Sequence, residues 1–166
     1  MKKNKIKDTG LEVTELSFGT SSLGSMPDTY GYEVSEDRAQ KTLNRFFKGP
    51  VNMLDTSRNY AMGESEKRIG KAIKENGGWP NGFLLSTKLD RNMDTLVLDK
   101  NRVRESLEES LKTLNVDSVD ILFLHDPEYV KDITDITKKD GAMDELFKIK
   151  NEGLAKAAGV AMGKVD

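Results

Sequence analysis

Four side chains in this sequence have the types needed to move a proton on and off an oxygen. They are the carboxyl of Asp55, the phenol of Tyr60, the ammonium of Lys88 and the imidazole of His125, the chain's one histidine. A phenol titrates near pH ~10, too high for easy exchange at neutrality. A cation at Lys88 beside it would favour the phenolate and bring it into range. Asp55 would hold that ammonium in place and keep it charged. His125, as a neutral donor or a second proton carrier, would orient a substrate oxygen. Such a group can protonate a carbonyl oxygen while hydride arrives at carbon, or run the reverse. Cysteine is absent, which excludes thiolate catalysis and disulfides, and one histidine cannot build an imidazole metal cluster, so the expected metal is none. The hydride must then come from an external cofactor, most simply a nicotinamide, NAD or NADP.

Taken singly, each residue has an ordinary structural reading. An Asp after a strand often caps a turn, a Lys at a strand end is usually solvated, and a lone His is more often a hydrogen-bonded structural residue. Their shared placement is what argues for function. Asp55 follows Val51-Asn52-Met53-Leu54, Lys88 follows Phe83-Leu84-Leu85-Ser86-Thr87, and His125 follows Val119-Asp120-Ile121-Leu122-Phe123-Leu124. These short apolar runs, separated by stretches of helical periodicity, read as buried parallel strands. The polar residues recur every 33 and 37 positions, close to the roughly 31 residues of one βα unit in an eight-unit barrel. All strand C-termini of such a barrel open onto one mouth. Tyr60, five residues past Asp55, would sit in a loop facing that mouth.

The remaining elements follow from local chemistry. Lys5-Ile6-Lys7 and Leu11-Glu12-Val13 flank Asp8-Thr9-Gly10, a hairpin signal. A first strand runs through Leu16-Ser17-Phe18 to Gly19-Thr20. Ser35 caps a helix whose stripe is Ala39, Leu43, Phe46 and Phe47, stopped by Gly49-Pro50. A second helix starts near Gly63 and buries Ile69, Ala72 and Ile73. A third, from about Asn101 to Asn115, carries Val103, Leu107, Leu111 and Leu114. A fourth, from about Gly141, carries Met143, Leu146, Phe147 and Ile149, and a strand from Ala155 to Val160 follows. Helix-to-strand joins are short, whereas the strand-to-helix joins at about 20–34, 55–63, 88–100 and 125–140 are long, so one face is elaborated. The expected fold is therefore α/β of the TIM (β/α)8-barrel type. It is an incomplete barrel of about five parallel strands and four helices behind a β-hairpin, one partial domain over residues 1–166.

Composition narrows the partners. A formal charge of −2 gives no case for nucleic acid. The basic cluster Lys2, Lys3, Lys5 and Lys7 is not followed by an apolar run, so it is no secretory signal, and no stretch is long and apolar enough to span a bilayer. A cytoplasmic setting is the expectation. Trp79 reads as packing opposite the mouth. Tyr30, Tyr32, Glu128 and Tyr129 read as loop-surface residues on the mouth side.

The ordered set of motifs resembles the aldo-keto reductase superfamily along essentially all of the chain. The motifs are Thr9-Gly10-Leu11, Phe18-Gly19-Thr20, Leu54-Asp55-Thr56-Ser57 with Tyr60, and Gly63-Glu64-Ser65-Glu66 with Ile69-Gly70. Ser86-Thr87-Lys88, Val116-Asp117-Ser118-Val119-Asp120 and Leu124-His125-Asp126-Pro127 complete them. The resemblance implies a catalytic tetrad of Asp55, Tyr60, Lys88 and His125 with Tyr60 as acid/base, NADP or NAD as cofactor, and a small-molecule carbonyl or sugar substrate. The His-Asp-Pro-Glu segment at 125–128 is similar to sugar-acting members such as aldose and fucose dehydrogenases. Gly19, Thr20, Ser21, Ser22 and Gly24 could approach the nicotinamide, the first three as its expected contacts; a flexible turn is the competing reading. The pattern departs from the family where strands 6–8, with their phosphate site, are absent, and where Ala161-Met162 replaces a Ser-Asn pair after the fifth strand. Open sheet edges then imply self-association. Two rival functions remain: a Schiff-base lyase using Lys88, and a half-barrel fragment or association module without turnover.

Overall fold

The computed structural model describes residues 1–163. The chain opens with an antiparallel hairpin, β1 (Lys3–Ile6) and β2 (Leu11–Thr14). Five parallel strands follow: β3 (Phe18–Gly19), β4 (Met53–Asp55), β5 (Leu84–Leu89), β6 (Val119–His125) and β7 (Ala155–Ala161). Their spatial order is their sequence order, β3-β4-β5-β6-β7. A doubly wound sheet would reverse direction at a switch point; this one winds a single way, as a barrel wall does. The first strand is shorter than its sequence indicates, because Leu16 and Ser17 lie outside the ladder and Thr20 turns into a short 3-10 helix.

Helices cover the outer face. The long ones, α2 (Glu36–Phe46), α3 (Glu64–Glu75), α4 (Lys100–Leu114) and α6 (Ala142–Asn151), do this, while α1 (Pro27–Tyr30) and α5 (Thr134–Thr137) are single turns within strand-to-helix loops. Caps set their starts. Ser35 accepts from the Arg38 N–H and Asp99 from the Arg102 N–H. Leu43, Ile69, Ile73, Val103, Leu107, Leu146 and Ile149 pack against Leu54, Leu85, Leu122 and Leu124 of the strands. Each such leucine contributes about 1.5–3 kcal/mol by leaving water. The third helix approaches the fourth so closely that a Cβ on Gly70 would stand 1.9 Å from the Thr113 carbonyl oxygen. Phe147 departs from the expected stripe: it is half exposed on the outer side of α6.

The inner face has its own apolar cluster. Leu84, Ile121, Ala157, Met53 and Phe123 pack against Leu11, Val13 and Ile6, so the hairpin plugs the N-terminal end of the sheet. Asn52 pins it there. Its Oδ1 accepts from the Thr14 N–H at 2.9 Å, and its Nδ2 donates to the Glu12 carbonyl at 2.9 Å. Trp79 lies at this same end, in a helix-to-strand loop, with its ring edge-on to Phe47 and its Nε1 donating to the Phe83 carbonyl. With one end plugged, the C-terminal end of the strands is left for chemistry. Among the described residues no helix is long and apolar enough to cross a membrane.

Candidate active site

Side chains alternate along a strand, and here that alternation stacks apolar residues below polar ones. On β5 the inward series is Leu84, Ser86, Lys88; on β6 it is Ile121, Phe123, His125; on β4 it is Met53, Asp55. The ladder adds a stagger. Asp55 pairs with Ser86, two residues short of Lys88, and Lys88 pairs with Phe123, two short of His125. Asp55, Lys88 and His125 thus form a diagonal stair around the rim, the offset a tilted barrel strand imposes.

Tyr60 joins them from a constrained loop. Ala61 and Met62 adopt φ of 52° and 56°, and Gly63 follows at 92°. Two successive non-glycine residues in the left-handed region cost energy, and such strain gathers at functional sites. The segment is braced against Gly24, where an added Cβ would meet Ala61 Cβ at 2.4 Å and Ser65 N at 2.9 Å.

The ammonium of Lys88 is the hub. It donates to Asp55 Oδ2 at 2.7 Å, to the Thr56 carbonyl at 2.7 Å and to Tyr60 Oη at 3.0 Å. It also lies 4.7 Å from the Tyr60 ring centroid. Ser86 Oγ donates to the other carboxylate oxygen of Asp55 at 2.9 Å. Lys88 is 6% exposed, so its charge is held by partners and not by water. The Tyr60 and His125 rings meet edge to face, centroids 5.9 Å apart. All four expected catalytic residues therefore gather in one cluster.

Of the residues expected near a nicotinamide, Gly19 is exposed on the rim, and none of the described residues lies within 4 Å of where a Cβ would stand. Thr20 is buried, and its hydroxyl donates to the Asp55 carbonyl at 2.9 Å, so its side chain serves the scaffold. Ser21 Oγ lies 2.5 Å from Tyr30 Oη.

Sequence reasoning passed over three participants. Asp90 and Ser57 hold the Nδ1 side of His125, at 2.6 Å and 3.1 Å. Asp90 continues the inward series of β5 by two more residues, a signal the alternation carried. Glu66 lies on the other side of β5, where Thr87 Oγ1 donates to its Oε1 at 2.6 Å. Burial pushes this carboxyl up to about 7, while the Thr87 and Ser110 hydroxyls and Arg58 pull it down and Asp90 adds to the rise. Among the described residues its Oε2 is buried without a formed hydrogen bond, as is Ser110 Oγ. The Ser110 hydroxyl thus favours the charge without meeting bonding geometry.

Among the described residues no group of three or more His, Cys, Asp or Glu could hold a metal ion. What the cluster can do is hold a phenol beside a fixed cation and pass a proton at that phenol oxygen.

Comparison with known proteins gives one consistent result. The model of the Aldo/keto reductase family matches residues 15–166. An L-galactose dehydrogenase of Arabidopsis thaliana is 35% identical over 161 residues, covering 92% of this chain and 46% of that protein. A D-threo-aldose 1-dehydrogenase of Pseudomonas sp is 29% identical, covering 91% of this chain and 50% of that protein. Among solved structures, the holo form of an aldo-keto reductase from Bacillus halodurans superimposes with a TM-score of 0.78 at 27% identity, over 99% of this chain and 51% of that one. The chain spans about half the length of the curated relatives it matches.

Proposed function

This chain belongs to the aldo/keto reductase family, and from that premise we propose that it carries the proton-transfer side of an oxidoreductase site. The reaction exchanges hydride between a nicotinamide nucleotide, NAD(P)(H), and an aldehyde, ketone or sugar, with Tyr60 as general acid/base. The observation that carries this is the bond from Lys88 to Tyr60. The phenol oxygen accepts from the ammonium at 3.0 Å, so its own hydrogen is free for a substrate oxygen, and phenolate is stabilised once that hydrogen leaves. Asp55 holds Lys88 in line. The His125 ring meets the Tyr60 ring edge to face in the same cluster. Relatives named for L-galactose and D-threo-aldose support a sugar among the substrates.

A nicotinamide ring fits the residues present. Gly19 leaves open space on the rim beside Asp55; it and Ser21 are proposed cofactor contacts, with Thr20 acting through its bond to the Asp55 backbone. The bound cofactor would supply the hydride. The chain's residues position the accepting carbon, exclude water from Lys88 and manage the proton on Tyr60.

The Schiff-base alternative fits poorly, because all three ammonium hydrogens of Lys88 are already taken by Asp55, Thr56 and Tyr60. Association of copies is a part of the proposal that a specific observation favours. Beside the β3 edge runs a groove of about 660 Å³ lined by Phe18, Phe46 and Val51, and on the β7 side Phe147, Val160 and Met162 are exposed.

Nicotinamide absorbance tests the reading. NADH and NADPH are offered with short aldehydes and aldoses, and NAD and NADP with the corresponding alcohols. Nucleotide-dependent turnover is expected, and inactivity with every pair contradicts the reading.

A further inference from the structure

Between β3 and α2 the chain makes an excursion whose two ends are held by one side chain. Nη1 of Arg68, on α3, donates to the Leu23 carbonyl at 2.7 Å and to the Val34 carbonyl at 2.8 Å. Leu23 and Val34 are themselves buried in the core. The Val34 N–H closes the base by donating to Ser25 Oγ at 3.1 Å. Arg68 keeps its aim because its Nε faces carboxylate oxygens of Glu36 and Glu64, each at 3.3 Å, with the side chain 11% exposed.

Beyond that clasp the chain is lightly held. Residues 27–33 are all exposed, and α1 buries no residue. The backbone bonds of this stretch stay within it, from the Thr29 and Tyr30 N–H groups to the Met26 carbonyl and from the Gly31 N–H to the Pro27 carbonyl. Among the described residues a single hydrogen bond joins residues 26–33 to the rest of the chain, between Tyr30 Oη and Ser21 Oγ at 2.5 Å. Ring contacts accompany it: the Tyr30 and Tyr32 centroids are 6.3 Å apart, and the Arg38 guanidinium lies 5.9 Å from the Tyr32 centroid. Ser25 and Gly31 take positive φ, 66° and 74°, and a few such loop positions suffice to absorb a hinge motion.

We propose that residues 26–33 are a lid latched onto Ser21 by Tyr30, and that Tyr30 is a positioning residue which, through Ser21, slows the release of a nicotinamide nucleotide. A phenol is more acidic than an aliphatic hydroxyl, so Tyr30 donates and Ser21 keeps its own hydrogen for an acceptor. The amide carbonyl of a nicotinamide is such an acceptor. Ser21 follows Gly19 by two residues, and Gly19 pairs with Asp55 on the rim. The latch thus borders the stretch of rim proposed for the nicotinamide. The lid follows from the contacts alone; its hold on a nucleotide rests on the oxidoreductase reading above.

Amide hydrogen exchange on the whole chain tests the lid. In wild type the Thr29, Tyr30 and Gly31 amides should exchange at a common rate. Tyr30→Phe keeps the ring beside Tyr32 and removes the latch, so all three should speed up by about 2- to 10-fold, the worth of one hydrogen bond. Ser21→Ala breaks the same bond and should match it. The Val34 amide and those of α3 should not change. No change at residues 29–31 overturns the latch, and so does a change in Tyr30→Phe that Ser21→Ala lacks. Faster exchange at Val34 or in α3 overturns the lid as a separate unit. The hold on the nucleotide is read from the fluorescence of NADH and NADPH as each is displaced from the protein. Tyr30→Phe should release them about 2- to 10-fold faster at an unchanged melting temperature. Equal release rates overturn that role of Tyr30, and so does faster release that comes only with a lower melting temperature. Binding of neither nucleotide by wild type overturns it together with the oxidoreductase reading, while the exchange result stands.

Discussion

Lys88 reaches Tyr60 across 3.0 Å with its other two hydrogens already given to Asp55 and the Thr56 carbonyl. The phenol therefore cannot be displaced from the cation by rotation of the ammonium alone. The cation was placed by β5, its carboxylate by β4 and the phenol by a strained loop. That division explains why the site needs several βα units to exist at all.

Removing Asp55 should strand a charge. Lys88 is 6% exposed while the Asp55 side chain is 26% exposed. Asp55→Ala is expected to cost about 2–3 kcal/mol in urea unfolding, below the about 3–5 kcal/mol of a fully buried pair. Adding Lys88→Met should recover part of the loss. Strictly additive losses would show the two residues uncoupled.

Glu66 gives a pH signature. Its carboxyl rises from 4.5 to about 7 through burial, so the folded chain binds a proton that the unfolded chain has released. Stability from this group is complete below pH ~4.5 and is lost as pH rises toward ~7, by on the order of 3 kcal/mol. Glu66→Gln should be more stable than wild type at pH 8, with the difference shrinking toward pH 4. A difference independent of pH would refute the burial of a protonated acid.

Two glycines should separate stability from binding. Gly70→Ala pushes a methyl to 1.9 Å from the Thr113 carbonyl, and overpacking of this kind costs about 1–3 kcal/mol or more. Gly19→Ala meets none of the described residues within 4 Å, so the melting temperature should hold. The nucleotide KM should nonetheless rise severalfold if the nicotinamide lies there. An unchanged KM would move the cofactor elsewhere.

Open edges and the half-exposed Phe147 should make the chain associate as concentration rises. Sedimentation velocity should show this, and Phe147→Lys should weaken it. A monomer at every concentration, in both proteins, would argue against the edges as contacts.

Much of the architecture was legible because period and punctuation agreed. Gly49-Pro50 ended a stripe, Ser35 began one, and the polar residues after three apolar runs marked the same rim. Where reading failed, the cause was tertiary. Phe147 lies on the α6 stripe by spacing, yet the described residues leave it half exposed. Leu16 and Ser17 alternate like strand residues but fall outside the ladder. Glu66 looks like a helix-dipole partner in a first turn, and its burial depends on Thr87 arriving from another strand. Asp90 stood at the right spacing, but its pairing with His125 joins residues 35 apart in sequence, which no local pattern encodes.

Tyr60→Phe tests the central claim most directly. The phenyl ring keeps its packing against His125 and loses only the oxygen that Lys88 holds. Nicotinamide-dependent turnover should fall by about 10²–10⁴-fold, the usual worth of a positioned acid/base, with the melting temperature and nucleotide affinity close to wild type. Turnover equal to wild type would contradict the account.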